Sequence, residues 1–237
     1  MNVVYAVTRD YYEKIRPSVY SLFEHNTDVD LYVIAEDDDL NIRLPKEPHV
    51  INVSDQTWFG TGSVNYNNRF TYINLVKVCY ASLIPVGKVL HLDADTVICD
   101  ELSQFYNVDL SDKWLGVIEE TEGSYRPFGL HYYNMGVALI NLAQMRADNI
   151  EQTLVDYLNS SSQPWADQDA WNKYGLEQNK IVSVDRRYNE NFATGYTNEP
   201  AIVHYCGVPD WWINRRMKRC EYLDHARDLS GPPVRKN

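Results

Sequence analysis

The sequence predicts an α/β protein built on a mixed, partly parallel sheet flanked by helices. Three observations point there. Short apolar runs rich in β-branched residues recur along the chain, helical stripes stand between several of them, and the first units follow the order strand, helix, strand, strand.

NVVYAV (2–7) reads as the first strand. In the following RDYYEKIRPSVYSLFEHN, Val19, Leu22 and Phe23 have helical spacing, and Pro17 suits a first turn. LYVIA (31–35) and HVINV (49–53) are the second and third strands. DQTWFGTGSVNYNNR (55–69), rich in Gly, Asn and Ser, predicts a mobile loop. Leu75, Val78, Cys79 and Leu83 then share a helical face that ends at Pro85. KVLHLDADTVI (88–98) reads as a buried strand that breaks at its acidic residues and resumes, and WLGVIEE (114–120) as another strand. YYNMGVALINL (132–142) is apolar and extended. Asp148 and Glu151 have the spacing of a capping box ahead of the stripe Ile150, Leu154, Tyr157 and Leu158. A short helix is expected to start at Asp167, with late strands at IVSV (181–184) and AIVHY (201–205). A basic segment, NRRMKR (214–219), and a frayed end follow, with no internal repeat or low-complexity tract.

The 237 residues suit one large domain, alone or with a small appendage, and 44% hydrophobic residues can fill its core. A formal net charge of -11 argues against a general nucleic-acid binder, because phosphate backbones attract basic surfaces. The opening MNVVYAVT has no basic segment leading into a long apolar stretch, so no signal peptide is expected and the expected location is cytoplasmic. The chain also holds no apolar run of about 18 residues, so no transmembrane segment is expected. Cys79, Cys99, Cys206 and Cys220 form no C-x-x-C pair, and reduced, mostly buried thiols are the expectation.

Asp93-Ala94-Asp95 interrupts an apolar strand. Two carboxylates at i and i+2 can converge on one cation at a strand end, although acids are also common where strands turn. Asp93-x-Asp95-x-Val97 further matches the nucleophile loop of haloacid-dehalogenase-type phosphatases. That loop belongs after a first strand and needs a later acidic site, whereas here about three strands precede it and no such site follows.

KVLHLDADTVICDEL (88–102), YYNMGVALINL (132–142), WADQDAWN (165–172) and HYCG (204–207) stand in the order found in family 8 retaining glycosyltransferases, and YAVTRDYY (5–12) adds to the match. The chain resembles that family from its first strand to about residue 212. The resemblance implies the GT-A fold, a Rossmann-like mixed sheet flanked by helices. It implies a nucleotide-sugar-binding and catalytic domain over 1–212 and a basic helix and tail over 213–237. It implies Asp93, Asp95 and His204 as metal ligands, with Mn²⁺ expected and Mg²⁺ a substitute. His204 ends an apolar run, so by itself it also reads as a core histidine.

The same resemblance implies that Tyr11 stacks on uracil beside the strand edge at Ala6 and Thr8, a contact worth roughly 1–3 kcal/mol. It places Lys77, Ala94, Asn134 and Gly207 with the donor; on an amphipathic helix, Lys77 equally reads as an exposed lysine. Asn134 would hydrogen-bond a sugar hydroxyl, and Gly136 would let the backbone run close to a ligand. Asp167 would bind sugar hydroxyls and could also cap the helix it begins, while Gln168 faces the β-side of the anomeric carbon. Asp167, Gln168 and Asp95 make up the implied catalytic set. The family usually carries a lysine six residues after the histidine, but Asp210 stands there; either the loop is rebuilt or Arg215, Arg216 or Lys218 takes over the diphosphate, and that basic cluster equally reads as a solvated helix face or a contact to an anionic acceptor or membrane surface. The implied reaction moves a hexose, glucose or galactose, from a UDP-sugar to a hydroxyl of a glycan, protein or small-molecule acceptor. The alternative implied by Asp210 is a UDP-sugar-binding module without transfer. The loop over 55–69 and the segment around Tyr125-Arg126-Pro127 are candidate acceptor walls by position.

Overall fold

A computed structural model of the chain describes residues 1–66, 70–121 and 126–207. Its centre is a seven-stranded sheet of β1 (Asn2–Ala6), β2 (Asp30–Ala35), β3 (His49–Asn52), β4 (Val89–Leu92), β6 (Leu115–Glu119), β7 (Tyr133–Ile140) and β8 (Ile181–Ser183). Across the sheet the order is β3-β2-β1-β4-β7-β6-β8. β1 runs parallel to β2 and β4, β2 to β3, and β6 to β8, whereas β7 is antiparallel to both of its neighbours. The sheet is therefore mixed, as expected. A second sheet pairs β5 (Thr96–Ile98) with β9 (Ile202–His204), antiparallel.

The continuous apolar character of the central strands follows from cover on both faces. Alternation along β1 sends Val4 into one core, with Trp114 and Trp171, and sends Val3 and Tyr5 into the other, with Leu22 and Phe105. β4 and β7 are buried at every position. Helix α1 (Arg16–His25) opens with Pro17 in its first turn, as its sequence predicts.

Several local expectations change. The stripe over 75–83 is not one helix. It divides into α2 (Tyr72–Leu75), a 3-10 turn (Val76–Cys79) and α3 (Tyr80–Leu83). Four consecutive residues, Val76 to Cys79, are buried, which a single amphipathic face cannot achieve. After α4 (Ser103–Tyr106), the chain reaches β7, which stops at Ile140. A helix not foreseen, α5 (Leu142–Asp148), begins there, where Asn141 caps by accepting from the Gln144 amide at 3.1 Å.

The capping box at Asp148 and Glu151 does not form. Asn149, in a left-handed conformation (φ 52°), separates α5 from α6 (Ile150–Ser160). Asp148 instead accepts from Trp114 Nε1 at 2.7 Å and pairs with Lys180, while Glu151 accepts from the Ser82 amide. Helix α7 (Asp167–Glu177) starts where expected, but Asp167 does not cap it, and Ala166 takes the N-cap position with φ 53°.

The loop over 55–66 is pinned rather than loose. Phe59 is buried, and buried Asn65 donates to the carbonyls of Leu158 (2.6 Å) and Ser161 (2.8 Å). No disulfide joins Cys79, Cys99 and Cys206, but of the three only Cys79 is buried and the other two are half-buried; Cys220 lies outside the described residues. Among the described residues, no helix is long and apolar enough to cross a membrane.

Candidate active site

The fold stitches the acidic turn in place from both sides. The Asp93 amide donates to the Gly136 carbonyl on β7 at 2.7 Å, and Tyr205 N donates to the Asp95 carbonyl at 2.8 Å. β5 then pairs Thr96 with His204. Asp93 and Asp95 therefore meet a histidine more than a hundred residues away. His204 Nε2 stands 3.2 Å from Asp95 Oδ1 and 3.8 Å from Asp93 Oδ2, and one ligand atom from each residue fits within 4.8 Å of the others. Two carboxylates and an imidazole are a fitting donor set for Mn²⁺ or Mg²⁺. Among the described residues this is the group with the spacing for a metal ion.

Asp93 divides its oxygens between two tasks. Oδ1 accepts from Lys77 Nζ at 2.7 Å and lies 2.9 Å from His91 Nε2, which leaves Oδ2 toward His204. Burial works against the charge of Asp93. Lys77, His91 and His204 outweigh it and hold the carboxyl well below its ordinary range. Lys77 is 5% exposed, so the exposed-lysine reading is overturned: its ammonium sits between Asp93 and Asp167, the latter at 4.0 Å. Burial also acts on His204, but Asp95 and Asp93 outweigh it and raise its pKa.

Lys77, Asp93, Asp167 and His204 open onto a cleft of about 770 Å³. Lys77, Asp93, Asn134, Gly136, Asp167, Gln168, His204 and Gly207 all face it. Asp167 is 4% exposed, and its Oδ2 has no hydrogen-bond partner among the described residues. Burial pushes its pKa up to about 7, against the pull of Lys77 and with the help of Asp93. A buried, unpartnered oxygen at a cleft wall is free to take a ligand hydroxyl. Gln168 accepts from the Met135 amide at 3.0 Å and donates to Glu120 at 3.2 Å. Asn134 also donates to Glu120, at 3.2 Å.

Ala6, Thr8, Tyr11 and Ala94 do not line this cleft, and neither does Asp95, which meets it only through His204. Thr8 turns its hydroxyl to Asp10 at 2.6 Å, and Tyr11 is 37% exposed beneath Lys14. Asp210, Arg215, Arg216, Lys218 and Tyr125 lie outside the described residues.

Sequence reasoning missed Glu120, His91, Phe192 and Cys206. Glu120, Phe192 and Cys206 line the cleft, and His91 braces Asp93 from behind. His91 had one available signal: it is a polar residue in an apolar strand, two positions before Asp93 and hence on the same side. Burial raises the pKa of Glu120, against hydrogen bonds from Asn134 and Gln168.

Gly136 has a sharper role than backbone approach to a ligand. A Cβ there would lie 2.0 Å from His204 Cε1, so the imidazole occupies the space that a side chain would take. Gly136→Ala should displace His204 and destabilise the protein by roughly 1–3 kcal/mol. Urea unfolding checks the second effect, and an unchanged midpoint counts against it.

The chain matches the model of glycosyl transferase family 8 over residues 2–214. It belongs to glycosyl transferase family 8. Glycosyltransferase GlyA of Streptococcus pneumoniae serotype 4 is 28% identical over 231 residues, covering 89% of this chain and 32% of that protein. Lipopolysaccharide glucosyltransferase WaaO of Escherichia coli is 27% identical over 150 residues, covering 53% of this chain and 44% of that protein. The chain thus spans about a third of GlyA and less than half of WaaO. The galactosyltransferase LgtC, solved with donor and acceptor sugar analogues, superposes with a TM-score of 0.72 at 22% identity, covering 98% of this chain and 95% of that one. The shared fold is the GT-A fold.

Proposed function

We propose that the chain is a metal-dependent, retaining hexosyltransferase that moves glucose or galactose from a UDP-sugar to an acceptor hydroxyl, with residues 1–212 as its catalytic domain. The observation that carries this is the convergence of Asp93, Asp95 and His204 beside a cleft that Asp93 and His204 line, and that also holds the Asp167 oxygen left without a hydrogen bond among the described residues. A bound Mn²⁺ or Mg²⁺ supplies Lewis-acid charge that offsets the negative charge developing on the departing UDP. Asp93, Asp95 and His204 hold that cation. Lys77 keeps Asp93 ionised and adds positive charge to the cleft wall. Asp167 accepts a donor-sugar hydroxyl, and Asn134 presents its amide beside it. Gln168, held by Met135 and Glu120, lines the anomeric side. An amide is a poor nucleophile, so the acceptor attacks from the face that UDP leaves, without a covalent intermediate.

Tyr11, Ala6 and Thr8 are assigned to the uracil on the family resemblance, and Ala94 and Gly207 to the donor. The experiment is a melting screen of UDP-sugars with and without Mn²⁺. The true donor, at a hundred times its Kd, should add about 2.7 kcal/mol and raise Tm by roughly 5–10 °C only with the metal. A flat response across the panel defeats the reading. Stabilisation without transfer or hydrolysis would instead support the binding-module alternative.

A further inference from the structure

We infer that Asn189 sets the tautomer of His204, so that Nδ1 carries the proton and Nε2 is left bare toward Asp93 and Asp95. The consequence for metal binding rests on the cation site proposed above; the tautomer itself does not. Asn189 is fully buried, and its Oδ1 lies 2.9 Å from His204 Nδ1. An amide oxygen can only accept, whereas an amide nitrogen can only donate. The state of His204 therefore depends on which end of Asn189 faces it.

Two backbone anchors decide that orientation independently. The Gly136 N–H, which can only donate, points at Asn134 from 3.1 Å and fixes that atom as Oδ1. Asn189 approaches the same oxygen at 2.9 Å and must do so with Nδ2, which turns its own Oδ1 to His204. From the other side, Asn191 Oδ1 accepts from the amides of Ala193 (2.7 Å) and Thr194 (3.1 Å). Asn191 Nδ2 is then committed to Asn189, whose Oδ1 it meets at 3.0 Å. Both routes give one answer. The Gly136 amide thus acts through Asn134 and Asn189 on the ring that occupies the space above Gly136.

A histidine ligand needs its free nitrogen aimed at the metal and its other N–H held by a partner. Asn189 is such a positioning residue: it acts through His204 and does not itself line the cleft.

The test uses the metal-free, ¹⁵N-labelled protein. Long-range ¹H–¹⁵N spectra report which imidazole nitrogen is protonated, and the His204 signals are identified by their loss in His204→Gln. The expected result is a proton on Nδ1, joined by a second on Nε2 where Asp95 and Asp93 hold the metal-free ring cationic; a neutral ring with its proton on Nε2 alone overturns the inference, even if no variant folds. Asn189→Leu should give mixed tautomers and weaken Mn²⁺ binding, read by electron paramagnetic resonance in the presence of UDP, by roughly 10–100-fold. Asn189→Asp, which keeps an acceptor for Nδ1–H, should restore most of that binding. Unchanged Mn²⁺ affinity in folded Asn189→Leu also overturns the inference. If the wild-type chain shows the Nδ1–H tautomer yet binds no Mn²⁺, the cation reading fails while the role of Asn189 in setting the tautomer stands.

Discussion

Asp95→Asn is expected to lower transfer and UDP-sugar hydrolysis by at least ~10²–10³-fold while leaving the fold intact. The amide keeps the size and shape of the carboxylate and removes its charge. A hard divalent cation then loses an anionic oxygen ligand, and the negative charge building on UDP is offset less well. The fold should survive because the structural bond at this position uses the Asp95 carbonyl, which accepts from Tyr205 N, and not the side chain. Asp93→Asn is the less informative variant. It would remove the negative charge that balances the buried Lys77 ammonium 2.7 Å away, so misfolding and lost chemistry would be confounded. The measurement is hydrolysis of the donor identified by melting, with Mn²⁺ present and folding checked by circular dichroism. Wild-type hydrolysis by Asp95→Asn would remove the residue from the proposed metal site.

How far this site was legible depended on the range of the interactions that make it. The sheet could be read because β1, β2, β4 and β7 are buried on both faces, and burial writes itself into composition. Asp93 and Asp95 showed themselves by breaking such a strand. His204 was a core histidine by local reading, and only pairing of Thr96 with His204 across 108 residues makes it their neighbour. Glu120 was opaque for a related reason: an acid after a strand is ordinary until Asn134 and Gln168 are seen to share its carboxylate. Asn189 carried no signal, because its role lies in an amide orientation set by other side chains. The errors also have local causes. Asn65 sits in a stretch whose Gly and Asn content suggests a loose loop, yet two carbonyls at the end of α6 hold it. Asp148 had capping-box spacing, but Trp114 and Lys180 claimed its carboxylate.

Asp167→Asn should stabilise the metal-free protein while impairing transfer. The ordinary carboxyl value is 3.8, and burial moves it to about 7 in the folded state. The folded protein therefore holds a proton that the unfolded chain has already released between those two values. Stability falls as pH rises through this window, because deprotonation favours the unfolded state. The loss begins near pH 4 and is complete above about pH 7, and a rise of that size corresponds to up to roughly 4 kcal/mol. Lys77 relieves part of the cost of the charge but stands 4.0 Å from Asp167 Oδ2, beyond a good hydrogen bond. Asparagine carries no charge and titrates nowhere in the range. In EDTA, the variant should match wild type near pH 4 and melt progressively higher from pH 4 to 7, with the difference levelling beyond. Parallel melting curves across that range would show that the buried carboxylate costs the fold nothing. Activity should move the other way. The oxygen that has no hydrogen-bond partner among the described residues is the one proposed to take the donor hydroxyl, and losing that alignment should cost about 10²-fold in kcat/KM. A variant that is both more stable and less active would show that this buried charge is kept at the expense of the fold for the sake of the sugar.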